Sequence, residues 1–463
     1  MSSVNNKKVL GFFDIALMTI TANFGVRYLS ISGSMGPSSL LFWLIIATFF
    51  FIPVSIICAQ MSMVYPEEGG LYAWVRHTLG EKNGFIVAWI YWVNNIFYCP
   101  AVLIFCVSNF AYSIGHPELM QNKFYTVFAV LAVLWIIIII SSLGLKITKF
   151  LINLGGIFGL LIPVIFLIVF SILAFVKFGG SATPFNSQTF IPSNAISNNL
   201  FALSVLMLGM AGVDVIPTFA NSVKNIKRDL CYGLLVGSVF ILILYIGGTV
   251  AVNILTTPED MATSFGFIEF FHTIDIKFKL PWITHIIAFL LCFADIASMT
   301  VWLLASVIMF FKCTPRGILP NIMHKTDKNG TPINAIICQG LLVSAIILLT
   351  GLLPTIDLIY QELFLMATVL SFIPYLFLSF AYLKSARRLK TSIFSIGILA
   401  FCLFGSVLFG ILVSFVPSTD LTTFHDIVIY EIEICSGPII FIGIGFLIYK
   451  FRRIREHNPE KSI

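Results

Sequence analysis

Unbroken apolar runs such as YTVFAVLAVLWIIIIISS at 125–142 recur along the whole chain, and runs of roughly 18 residues or more match the hydrocarbon core of a bilayer. Inside that core every backbone N–H and C=O must be satisfied within the protein, which leaves only helices or a closed barrel. The runs do not alternate apolar and polar residues at period two, which disfavours a barrel and leaves helices. Only 10% of residues are charged, against roughly 25% in a soluble domain, so a water-soluble multidomain enzyme is excluded. The 59% hydrophobic share is enough for twelve spans of roughly 20 apolar residues each.

The runs place expected spans at 11–32, 39–63, 84–112, 124–142, 150–176 and 197–220 in the first half, and at 230–254, 282–311, 332–352, 358–383, 391–415 and 433–450 in the second. The expected class is therefore an all-α polytopic membrane protein with twelve transmembrane helices. The stretch 259–273 is too short and too polar to cross and reads as an amphipathic surface helix. Lys7 and Lys8 precede the first run without a small-residue cleavage site after it, so the first span is expected to be retained. With the amino terminus inside, 22 of the 27 Lys and Arg fall on the inner side and four on the outer, at Lys123, Lys177, Lys277 and Lys279. That asymmetry predicts both termini on the cytoplasmic side of the membrane. The remaining basic residue, Arg27, lies within span 1.

The formal charge of +6 is spread over short loops rather than clustered on a folded basic surface, so nucleic acid is not an expected partner. The nine cysteines (58, 99, 106, 231, 292, 313, 338, 402 and 435) lie in or beside apolar runs and read as buried thiols, not as disulfides or a metal site. The seven histidines are dispersed, and only His285 falls in an expected span, where it reads as a satisfied polar residue before a proton carrier. No GxxxxGK[ST] loop is present to use ATP, and no cofactor is expected. The basic segment FRRIRE after span 12 reads as an anchor near anionic headgroups.

An ionisable residue at a helix centre costs about 2.5 to 3.5 kcal/mol on insertion scales, which singles out Arg27, Asp214 and Asp295 in spans 1, 6 and 8. A mutual pair, Arg27 with Asp214 or with Asp295, would offset both desolvation costs and serve as a gate or latch. Helix breakers give an independent signal. Span 1 carries Asn23, Gly25 and Arg27 at its middle, and span 6 carries Gly209, Gly212 and Pro217. Proline removes an intrahelical hydrogen bond and glycine favours unwinding, so backbone groups at mid-membrane are freed for a polar ligand. Spans 1 and 6 each open a set of five, and interrupted helices at matching places in two halves point to an inverted-repeat transporter.

The block FIPVSIICAQMSMVYPEEGGLYAWVRHTLGEKNGF at 51–85 resembles the span 2 to span 3 region of bacterial glutamate/γ-aminobutyrate antiporters in the amino acid–polyamine–organocation superfamily. Further similarity lies in GFFDIALM, in GMAGVDV followed by Asn221, in FADIAS, and in RGILPNIMHKTDKNGTPINAI. The resemblance implies a LeuT-like five-plus-five inverted repeat with broken helices 1 and 6 and two extra carboxy-terminal helices. The repeats would cover about 11–176 and 197–383, the extra helices about 391–450, with 1–10 and 451–463 as cytoplasmic ends. It also implies amino acid antiport by alternating access. Carried over, the substrate's α-carboxylate meets amides at Phe24, Gly25, Val26 and Arg27, its α-amino group meets carbonyls there and at Gly209 to Asp214, and Tyr375 faces the substrate path.

Asp214 stands where the family has Glu, Phe24 where it has Tyr, Met299 where it has Trp, and Ser371 replaces a second span 10 tyrosine. WLLAS at Trp302–Ser306 replaces a GPSRG-like stretch, and the short chain after Tyr449 implies no carboxy-terminal plug. Arg27 either binds a second substrate carboxylate through charge-assisted hydrogen bonds or pairs with an acid as a latch, which would favour neutral amino acids. The substrate partners are thus amino acids, with protons as a further candidate, and the oligomeric state is open. PEEGG at 66–70 reads as a loop turn or gate contact rather than paired catalytic carboxylates. A channel, a membrane-embedded enzyme and a non-transporting sensor are the rival classes, and the chain is not expected to be an enzyme.

Overall fold

The computed structural model describes residues 8–191, 195–261, 266–315, 317–351, 356–416 and 424–457, apart from some side chains bordering the gaps. The described residues are helical apart from turns, loops and isolated bridges such as the parallel one between Leu10 and Val223. Among the described residues nine helices are long and apolar enough to cross a membrane: Ser38–Val64, Glu81–Ser113, Lys123–Ser142, Leu145–Phe178, Ala202–Ser222, Ile226–Leu255, Ile283–Lys312, Met366–Lys384 and Ile393–Ser414. Three shorter apolar helices, Phe12–Asn23, Ile333–Leu349 and Ser436–Phe451, lie where spans 1, 9 and 12 are expected. The surface helix expected at 259–273 is found later, at Gly266–Phe278, and 262–265 lie outside the described residues. The outermost ends, 1–7 and 458–463, with the side chains of the basic tail, also lie outside them.

Span 3, Glu81–Ser113, is buried along its apolar length and packs against spans 8 and 10. It is the axis of the bundle. Spans 2, 4, 5, 7 and 11 instead turn one face outward, leaving Phe49, Phe128, Ile165, Phe240 and Phe401 exposed on it. Small residues set the closest helix approaches. In span 5, Gly155–Leu161 forms wide π turns, and a Cβ at Gly155 or Gly159 would fall within 3.0 Å of span 8 atoms at Phe293, Ala294 or Ala297. Gly156 lies equally close to Thr21 of span 1, and Gly237 of span 7 meets Ala16 and Thr19. Span 1 is thereby wedged between spans 5, 7 and 8, so its interruption sits deep in the protein. The described cysteines are free thiols; the side chain of Cys435 lies outside the described residues.

Candidate functional site

Span 1 is helical over Phe12–Asn23, leaves helical geometry at Phe24 (φ −81°, ψ 113°), and resumes at Arg27–Ser34. Span 6 is helical to Gly209, turns at Met210–Gly212, and continues as a tighter 3₁₀ segment, Val213–Ser222. Gly212 has φ +124°, which side-chain-bearing residues rarely adopt. A Cβ there would also stand 2.6 Å from the Trp302 ring, and one at Gly209 would stand 2.8 Å from the Tyr28 ring. The glycines thus serve twice, letting the chain unwind and letting aromatic rings close on it.

The two interruptions meet at one side chain, Tyr245 of span 7. Its hydroxyl accepts from the Gly25 N–H at 3.1 Å and faces two carbonyls, Gly209 O at 2.8 Å and Asn23 O at 3.1 Å. The ring is held by stacking on Trp43 (4.3 Å between centroids) and by Phe24 at 4.7 Å. Trp302 of span 8 donates from Nε1 to Ala22 O at 2.8 Å and stacks with Tyr91 of span 3. Interrupted helices expose backbone donors and acceptors, and here aromatic side chains of neighbouring spans engage them.

On one side of this junction lies Asp214, fully buried. Its Oδ1 accepts from the Tyr375 hydroxyl at 2.5 Å, and that hydroxyl accepts from the Gly212 N–H at 2.8 Å. The Tyr91 hydroxyl of span 3 faces the same carboxylate, and Asn23 Oδ1 is buried with no hydrogen-bond partner among the described residues. On the other side the Arg27 side chain folds back over Gly25, with Cζ 3.2 Å from where a Cβ would be. It donates from Nη2 to the Tyr98 hydroxyl and lies against the rings of Tyr28 (4.8 Å) and Tyr98 (5.4 Å). Its charge also acts on Asp295, whose carboxylate accepts from Asn109 of span 3 at 3.0 Å.

The structure therefore brings Asn23, Phe24, Gly25, Val26, Arg27, Gly209, Gly212, Asp214 and Tyr375 to one locus, with Asp295 beyond Arg27. Met299 is fully buried in span 8. Ser371 returns its hydroxyl to Ala367 O of its own helix at 2.7 Å. His285 is exposed at the start of span 8, bonded to Tyr112 O. The residues that sequence reasoning missed are Tyr245, Tyr98, Tyr91 and Tyr28, while Trp302 entered it only as a departure from a family motif. Their available signal was a polar tip inside an otherwise apolar run, since a buried Tyr hydroxyl or Trp N–H usually finds a partner.

The face carrying the amino terminus is closed by polar contacts. Val9 and Leu10 N–H both donate to Ser222 O, and Lys224 N–H donates to Leu10 O, so the chain ahead of span 1 is joined to the end of span 6. Asp14 pairs with Lys149 of span 5 at 3.0 Å. In the PEEGG loop Glu67 meets Arg76 and His77, Glu68 meets Lys312 at 2.7 Å, and the Gly69 N–H donates to Thr218 O. Gly70, at φ +46°, places its Cα so close to span 6 that a Cβ would lie 2.9 Å from Thr218 N.

The sequence profile of the amino acid permease family matches residues 10–458. A probable agmatine/putrescine antiporter of Lactococcus lactis is 24% identical, over 99% of this chain and 98% of that one. A glutamate/γ-aminobutyrate antiporter of Lactococcus lactis is 24% identical over 98% and 93%. An uncharacterised transporter of Legionella pneumophila is 25% identical over 96% and 97%. Among solved structures, that of MhsT in complex with L-phenylalanine superposes with a TM-score of 0.60 at 14% identity, covering 88% of this chain and 99% of that one, and so shares the fold. A match across nearly the whole length, on a helical membrane chain, makes this protein a member of the amino acid permease family within the amino acid–polyamine–organocation superfamily.

Proposed function

We propose that this permease is an amino acid antiporter, exchanging glutamate-like and γ-aminobutyrate-like substrates by alternating access. The observation that carries the reading is one buried guanidinium, Arg27, and one buried carboxylate, Asp214, on the two interrupted helices that Tyr245 joins. A site that sets a guanidinium and a carboxyl group on the two interrupted helices is complementary to a substrate that carries a carboxylate and an amine together. A diamine such as putrescine would meet Arg27 with like charge, which favours the glutamate/γ-aminobutyrate relative over the agmatine/putrescine one as a guide to substrate. Val26 and Arg27 would offer helix-start N–H groups to the substrate's α-carboxylate, and the second lone pairs of the Asn23 and Gly209 carbonyls, beside the Tyr245 hydroxyl, would receive its amine. Twelve spans in a five-plus-five inverted repeat, both termini in the cytoplasm of a bacterial inner membrane, and energy from substrate or proton gradients complete the reading.

Substitution of Arg27 tests it. Arg27→Ala should reduce uptake of acidic amino acids far more than uptake of neutral ones, and Arg27→Lys should recover part of the loss. Equal losses for both classes would make Arg27 a latch toward Asp295 and turn the reading to neutral amino acids.

A further inference from the structure

We infer that an apolar groove on the bilayer-facing side of span 6 is a binding site for one acyl chain of a membrane lipid, and that this chain bears on the moving part of the transporter. The groove is a cavity of about 280 Å³ between spans 2, 6 and 11, lined by Phe49, Phe50, Leu203, Met207, Phe401 and Phe409 among others. Its rim is continuous with the surface that meets lipid: Ile45 and Phe49 are 50% exposed and Phe401 is 76% exposed. Its chemistry excludes a polar occupant. The few polar side chains in the lining are Ser204, Ser406 and Cys402, and the Ser406 hydroxyl is returned to Leu403 O of its own helix. In a medium with no water, an apolar recess of this kind is filled by hydrocarbon, because an empty one forfeits van der Waals contact.

The notch is made by Gly405, where an added Cβ would meet nothing within 4 Å, and its floor by Gly410, where a Cβ would stand 2.9 Å from the Met207 sulfur. Met207 lies two residues before the span 6 interruption at Gly209. Phe50 lies edge-on to Tyr375 at 5.3 Å, and Tyr375 holds Asp214. A chain seated here therefore touches the first segment of span 6 at Leu203 and Met207, and Phe50, whose ring packs on the residue that positions the buried carboxylate. Span 6 is a segment that alternating access must move, so occupancy would set its mobility.

The test uses the full-length protein in liposomes containing a phospholipid with a diazirine midway along one acyl chain, followed by peptide mapping of the photolabel. Label should concentrate on the segments holding Leu203–Met207 and Phe401–Gly410, above the level on the lipid-facing turn of span 4 at Ile136–Ile139. Gly405→Phe, or the smaller Gly405→Leu, should bring the groove label down to that span 4 level and lower the saturating exchange rate without altering half-saturation. Label in the wild-type groove no higher than on span 4, or label that Gly405→Leu leaves unchanged, would overturn the site. Label that falls with no change in exchange rate would overturn its coupling to span 6. Oxidative Cys402–Cys402 cross-links between copies, with no lipid label, would assign the groove to a second copy and also overturn the proposal.

Discussion

The hydroxyl of Tyr245 lies 2.8 Å from the carbonyl of Gly209, and the same oxygen accepts from Gly25 of the other interrupted helix. A single side chain of span 7 thus holds both unwound segments in register. Tyr245→Phe keeps the stacking on Trp43 and removes only this hydroxyl. It leaves a buried carbonyl and a buried N–H unpaired, at a cost of about 1–3 kcal/mol each. The expected result in reconstituted vesicles is a loss of exchange of at least about tenfold, which corresponds to roughly 1.4 kcal/mol, with the protein still folded in a thermal melt. Unchanged exchange would show that the junction is not needed for turnover.

Asp214 and Tyr375 separate charge from positioning. Asp214→Asn retains an oxygen for the Tyr375 hydroxyl but removes the negative charge, whereas Tyr375→Phe keeps the charge and removes the hydroxyl that holds it in place. The half-saturation constant for γ-aminobutyrate should rise by about tenfold or more in the first, since a charged hydrogen bond contributes roughly 1.5–3 kcal/mol. The second should give a smaller rise. The reverse order would remove Asp214 from amine recognition.

Gly212 has no room for a methyl group, by backbone angle and by the nearby Trp302 ring. Gly212→Ala should lower the melting temperature and abolish exchange. Gly397→Ala, on span 11 where a Cβ meets nothing within 4 Å, should change neither. Equal behaviour of the two variants would contradict the packing argument.

The Glu68–Lys312 pair carries its own reporter. Cys313 lies half-buried beside Gly69, and burial, together with the Glu68 charge, pushes its thiol well above the ordinary thiol range. Since the thiolate is the reactive form, wild-type Cys313 should label slowly with a maleimide at neutral pH. Glu68→Gln breaks the ion pair and removes the nearby negative charge, so labelling at Cys313 should quicken, as read by peptide mass spectrometry. No change would mean that the loop does not close this face.

Much of this arrangement was legible in the sequence because bilayer physics is restrictive. Apolar run length placed most of the helices within a few residues, though the last, Phe424–His457, starts nine residues before the expected 433, and the clusters around Gly25 and Gly212 marked where the chain would unwind. The partners across the site were not legible. Nothing in ILILYIGG announces that Tyr245 faces span 1 rather than lipid, because a uniformly apolar run has no polar face to set its rotation. Arg27 illustrates the same limit. Its place in span 1 made a buried acid the obvious partner, yet the structure also sets it against two tyrosine rings, contacts that depend on how spans 1 and 3 are rotated. The bridge between Leu10 and Val223 was equally hidden, since it joins two unremarkable residues far apart in sequence.

The most direct test of the central claim is counterflow. Proteoliposomes preloaded with glutamate, γ-aminobutyrate, putrescine or a neutral amino acid are compared with empty ones for uptake of labelled glutamate. The account predicts acceleration by glutamate and by γ-aminobutyrate, and none by putrescine. Acceleration led by putrescine or by neutral amino acids, or no acceleration by any preload in folded protein, would contradict it.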